Sequence, residues 1–117
     1  MGKRHNKYVL SVVMSDNTFE IVEYKNGQAW QGKCIFCNKK LLAKLDGTLI
    51  GNATIEHILP RSQGGTNADW NLAIACRRCN GEKGIRHDSK KNSKRSKEVI
   101  DKLLKKRLAR YNRKEGS

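Results

Sequence analysis

Apolar residues fall into three groups along the chain, and the spacing differs from one group to the next. Residues 8–14 form a nearly continuous β-branched and apolar run broken by Ser11, and residues 18–24 alternate between apolar and polar. Such patterns are those of strands, and Ser15-Asp16-Asn17 lies between the runs as a turn, so the pattern predicts a β-hairpin over residues 7–24. Asn26-Gly27 is a further turn signal. In the middle of the chain, residues 52–59 and 71–75 read as two short strands. The first is stopped by Pro60, which cannot donate to a ladder, and the Gly64-Gly65 pair gives the connecting loop a tight path. Residues 77–86 read as a short helix interrupted by Gly81 and Gly84. After a Ser/Asn/Lys-rich linker, Val99, Ile100, Leu103, Leu104, Leu108 and Tyr111 recur at helical spacing, which predicts an amphipathic helix over residues 96–112. Its apolar stripe packs on the core, and Lys102, Lys105, Lys106 and Arg110 occupy the other face. The chain thus divides into an N-terminal hairpin extension (1–30), a central segment (31–86) and a basic linker with a C-terminal helix (87–117). No internal repeat is visible.

Composition sharpens this outline. The 117 residues are 37% hydrophobic and only 6% aromatic, so one modest core is expected, with Trp30 and Trp70 as its anchors and a staple to compensate. Four cysteines in two Cys-x-x-Cys knuckles, Cys34-Ile35-Phe36-Cys37 and Cys76-Arg77-Arg78-Cys79, can supply it. Four thiolates in tight pairs match a tetrahedral structural Zn²⁺ site, which leaves no open position for a substrate. Two disulfides are the alternative and need an oxidising compartment. The run at residues 8–14 has no small-residue cleavage site after it, and no segment approaches transmembrane length, so a cytoplasmic, zinc-bearing protein is expected. Any catalysis then belongs to a second site.

Charge points to the partner. The formal net charge is +14, and residues 83–117 hold 14 basic against 4 acidic residues, so most of the excess lies at the C-terminal end. A basic tail of this strength attracts polyanions, nucleic acid above all, and exceeds what solubility requires.

The knuckles are separated by 38 residues, more than a simple zinc ribbon needs, so a structured unit must fit between them. That unit carries Glu56-His57-Ile58-Leu59-Pro60, then Gly64-Gly65, Asn71-Leu72 and Cys76-x-x-Cys79-Asn80-x-x-Lys83. Together these elements resemble the HNH endonuclease motif in its zinc-bearing form, over about residues 34–84. The resemblance implies a small α+β fold with a ββα-metal core and metal-dependent cleavage of DNA phosphodiesters to 5′-phosphate and 3′-hydroxyl ends. It assigns His57 as the general base, Asn71 as the residue that braces the loop and so orients the base, and Glu56 and Asn80 as ligands of a catalytic Mg²⁺ or Mn²⁺. Glu56 stands where Asp is more common. Small stand-alone members of the family serve phage packaging, restriction or homing, which makes packaging or restriction proteins further partners in kind.

The residues agree with that chemistry. A neutral imidazole suits proton abstraction near neutral pH, and oxygen ligands suit a hard divalent ion. Consecutive residues of a regular strand face opposite ways, so Glu56 and His57 can share one site only if the strand bends or bulges before Pro60. Lys83 lies one helical turn from Asn80 and can steady a phosphate, as can Arg61, Arg77 and Arg78 beside the site. His5 and His87 fit no element of the motif and are expected on the surface. The competing reading is a non-catalytic zinc module that binds DNA or RNA through its basic helix, which has no need of Glu56, His57 and Asn80 together.

Overall fold

The computed structural model describes residues 3–80 and 95–114, without the side chains of Lys3, Arg4 and Asn80. Helix α1 (Lys3–Val13) leads into an antiparallel four-stranded sheet, β1 (Glu20–Tyr24), β2 (Gly27–Lys33), β3 (Lys40–Lys44) and β4 (Leu49–Ile50), in that order. A separate two-stranded ladder pairs β5 (Ala53–His57) with β6 (Leu72–Cys76). Helix α2 (Arg77–Asn80) follows directly, and α3 (Lys97–Ala109) closes the described chain.

The hairpin expected over residues 7–24 is not formed, because its first half is α1. Val9, Val12 and Val13 are fully buried, a spacing of three and four that turns one helical face inward. A seven-residue apolar run fits a strand or a buried helix equally well by pattern, and packing of α1 on β6 decides for helix. Ser11 and Ser15 fit into it by donating their hydroxyls to the carbonyls of Tyr8 and Ser11, at 2.7 Å each. Residues 15–17 do not turn a hairpin either. Asp16 accepts from the Thr18 N–H and hydroxyl, while Asn17 N–H donates to Arg110 O and Asn112 N–H to Ser15 O, which joins the two ends of the described chain. The real hairpin lies one element later, β1 against β2, with Tyr24 paired to Gly27 and Lys25 at φ 53° in the turn.

β6 is buried along its whole length, between α1 and the rest of the core, as its unbroken Leu72-Ala73-Ile74-Ala75-Cys76 run requires. One hydrophobic cluster joins Val9, Val12 and Phe19 to Trp30, Ile35, Ile58, Ile74, Ile100 and Leu103, so α1, both sheets and α3 share a core. Trp30 anchors it as expected; Trp70 does not, being 43% exposed.

Helix α3 begins where the pattern indicates. Ser96 caps it, its hydroxyl accepting from the Val99 N–H, and Glu98 complements the first turn. Its inner stripe differs from the expected one: Ile100 and Leu103 are buried, but Leu108 is 57% exposed and Arg107 lies fully buried in its place. Three carbonyls converge there, and the Arg107 guanidinium satisfies them, donating to Leu72 O, Ser15 O and Asp69 O and to the Ser15 hydroxyl. A leucine could not. Tyr111 lies beyond the helix, its hydroxyl on the Asp69 carboxylate. No helix among the described residues is long and apolar enough to cross a membrane.

Candidate active site and metal centre

The two knuckles meet. The four sulfur atoms of Cys34, Cys37, Cys76 and Cys79 lie within 4.8 Å of one another, and Cys37 Sγ is 3.9 Å from Cys76 Sγ. Sulfurs placed about 2.3 Å from a shared tetrahedral centre stand roughly 3.8 Å apart, so the spacing fits Zn²⁺. The backbone prepares the sulfurs for negative charge: the N–H groups of Phe36, Cys37 and Cys76 point at Cys34 Sγ, and that of Cys79 at Cys76 Sγ. Hydrogen bonding, led by the Lys39 N–H, draws the exposed Cys37 thiol down to about 7, whereas burial pushes Cys34 and Cys79 up. A cation that displaces their protons resolves that conflict. The cysteines are free, and their arrangement is a zinc-type site rather than two disulfides.

Helix α3 buttresses this centre with residues expected on its outer face. Arg110 is buried, and its guanidinium donates to Lys33 O, Cys34 O and Asn38 Oδ1, with Asp16 Oδ2 at 3.7 Å. Lys106 Nζ donates to Phe36 O at 3.2 Å. Arg110 is therefore a brace of the first knuckle, out of reach of a nucleic acid. Lys106 is half-buried in the same role, which leaves Lys102 and Lys105 exposed on the helix.

At the other end of the β5–β6 ladder stand Glu56 and His57. The register runs without a bulge from Ala53↔Cys76 to Glu56↔Ala73 and His57↔Leu72, so the bend expected before Pro60 is absent within the strand. The two side chains accordingly leave opposite faces. Glu56 is buried, and one of its oxygens meets the guanidinium of Arg95. Burial pushes its carboxyl up, and the Arg95 charge pulls it back. Arg95 also donates to His57 O and Ile58 O, while its backbone exchanges two hydrogen bonds with the Gln63 side chain.

His57 is half-buried, and its Nε2 lies 2.7 Å from Asn67 Oδ1; the Asn67 amide nitrogen in turn donates to the Tyr8 hydroxyl at 2.9 Å. Behind it, the fully buried Asn71 ties the loop shut. Its Oδ1 accepts from Leu59 N–H, its Nδ2 donates to Leu59 O and Thr66 O, and its carbonyl accepts from Ile58 N–H. Gly64 turns the chain at φ 98°, and any side chain at Gly65 would collide with Leu59 O.

A zinc-type knuckle pair enclosing a strand, an Asn-tied loop and a second strand that runs straight into a helix is also a family pattern, and the HNH endonuclease family model matches residues 34–96. The chain belongs to the HNH endonuclease family. That match covers more than half of its length and gives the HNH protein a nuclease-type function. Its small α+β fold, with strands β5 and β6 and helix α2 around the cysteine cluster, is that of the ββα-metal core. No curated protein and no solved structure matches the chain.

Of the other expected site residues, Arg61, Arg77 and Arg78 are exposed around this core, as is His5 on α1. The Asn80 side chain, Lys83, His87 and most of the linker lie outside the described residues. Tyr8, Asn67, Gln63 and Arg95 had no signal in the sequence: each is an ordinary polar residue whose meaning depends on a distant partner.

Proposed function

We propose that this HNH protein is a metal-dependent endonuclease that hydrolyses DNA phosphodiester bonds, with His57 as general base and little preference for sequence. The observation that carries the reading is the environment of His57. It is a half-buried imidazole at the end of a strand, held on its Nε2 side by a neutral amide and from behind by the Asn71-tied loop, inside the segment matched to the family. The amide contact and the Asn71-tied loop together fix the position of the ring.

By the family pattern Glu56 and Asn80 would hold the divalent ion, but Glu56 leaves the face of β5 opposite His57 and is buried against Arg95, so it fits a site shared with His57 only if β5 bends before Pro60 and Arg95 gives way. Bound there, Mg²⁺ or Mn²⁺ would supply positive charge to the scissile phosphate and the leaving oxygen. The protein's own groups do the rest. His57 accepts the proton of the attacking water, Asn71 keeps the loop from shifting, and Arg95 ties the His57 and Ile58 carbonyls to Glu56. Exposed Arg61, Arg77, Arg78, Lys102 and Lys105 contact phosphates without reading bases.

Plasmid relaxation tests this directly. Supercoiled plasmid is converted to open circles with added Mg²⁺ or Mn²⁺ and is untouched without added divalent ion. Plasmid bound but left supercoiled under both conditions would overturn the reading in favour of a binding module.

A further inference from the structure

The HNH core matched to the family begins at residue 34, yet the hydrogen-bond chain that ends on His57 begins at Tyr8. Tyr8 lies on α1, whose buried Val9, Val12 and Val13 lock it against β6. Its hydroxyl receives the Asn67 Nδ2–H, which orients the amide so that Oδ1 faces the imidazole at 2.7 Å. An amide oxygen carries no proton and only accepts. The contact is therefore a hydrogen bond only when Nε2 bears the hydrogen, and a neutral ring protonated there has its lone pair on Nδ1.

We propose that Asn67, oriented by Tyr8 of α1, is a positioning residue that fixes His57 as its Nε2–H tautomer and makes Nδ1 the proton-accepting atom. This rests on the reading of His57 as general base. The N-terminal helix is then part of the catalytic apparatus, acting through two hydrogen bonds. Removing the amide lets the ring populate the other tautomer and rotate. Removing the Tyr8 hydroxyl frees the amide to turn its nitrogen toward the ring, which favours the wrong tautomer.

The test combines a spectrum with kinetics on the full chain. Two-bond ¹H–¹⁵N correlations of ¹⁵N-labelled protein report the tautomer of His57, assigned by its absence in His57→Ala and distinguished from His5 and His87. The wild type should show Nε2 protonated and Nδ1 as the bare nitrogen, and Asn67→Ala should show a mixture. At saturating Mg²⁺, kcat for plasmid nicking should fall about 10–100-fold in Asn67→Ala and less in Tyr8→Phe, with DNA affinity and zinc content unchanged. Asn67→Asp retains an acceptor oxygen, so it should keep the tautomer and recover much of the rate. A wild-type spectrum with Nδ1 protonated overturns the proposal. So do variants of Asn67 and Tyr8 with wild-type kcat while His57→Ala is inactive, a result that leaves the general base in place. Cleavage by His57→Ala at the wild-type rate removes both.

Discussion

The β5–β6 ladder is held at its two ends in contrasting ways. At one end Cys76 pairs with Ala53 and belongs to a cluster of four sulfurs; at the other, His57 pairs with Leu72 and is surrounded by amides, carbonyls and one guanidinium. Four residue steps, about 14 Å, separate them. With zinc bound, the cysteine end would concentrate its stabilising energy in a few strong bonds to one centre, and α3 buttresses it from outside through Lys106 and Arg110. The histidine end distributes its energy over many hydrogen bonds, the neutral ones worth about 1 kcal/mol each, together with the charged bonds of Arg95 to Glu56 and to the His57 and Ile58 carbonyls. The first arrangement suits a small, aromatic-poor chain that needs a staple. The second leaves an imidazole oriented by hydrogen bonds at the end of a strand.

The strongest way to break this comparison is at the cysteine end. Cys76→Ser should lose zinc and unfold the β5–β6 ladder together with the His57 site, because metal binding and folding are one equilibrium when the metal is the staple. Metal analysis and circular dichroism check it; a folded, zinc-free variant would show that the hydrophobic cluster suffices alone.

At the histidine end, Arg95→Met should keep one zinc per chain and lower stability by about 3 kcal/mol at pH 7, since it leaves a buried carboxylate without its partner. The pH dependence has a definite sign. Burial already raises the Glu56 carboxyl above its ordinary value, so this group's contribution to stability is full below that value and is lost as pH rises through the raised one. Without Arg95 the carboxyl rises further, and the stability gap between variant and wild type should narrow as pH falls toward the ordinary carboxylate range. Melting curves from pH 7 to pH 5, without added divalent ion, measure this. A gap independent of pH would mean that the loss comes from the Arg95 bonds to His57 O and Ile58 O.

The smallest effect belongs to the exposed face of α3. Lys102→Gln with Lys105→Gln should leave folding intact and flatten the slope of log affinity for DNA against log salt by about 0.9 for each phosphate that the variant no longer neutralises. Lys106 and Arg110 are excluded from this test because their loss would loosen the knuckle. An unchanged slope would move the DNA path away from α3.

What could be read in the sequence follows the same division. The cysteine cluster was legible because sulfur ligands at fixed spacing have few alternative meanings, and Ser96 marked the start of α3 for a similarly local reason. The motif singled out Asn71 and His57, and the Asn71 amide bonds Leu59 and Thr66 across the loop. Helix α1 was not legible, because a short apolar run carries no period of its own and only burial of Val9, Val12 and Val13 decides. Nor were the inward arginines of α3: a pattern that treats arginine as outward-facing cannot anticipate carbonyls from Ser15, Lys33 and Leu72 converging on one helix. Tyr8 and Asn67 lie 59 residues apart, and Glu56 and Arg95 lie 39 apart, so neither pair exists until the chain has folded.

The central claim is that His57 takes the proton from the attacking water. Its most direct test is the single-turnover nicking rate of His57→Ala against wild type at saturating Mg²⁺, on preparations matched for zinc content and DNA affinity. A loss of about 10²–10⁴-fold is expected, the usual contribution of a general base, with zinc and binding unchanged. Nicking by the variant at the wild-type rate would contradict it.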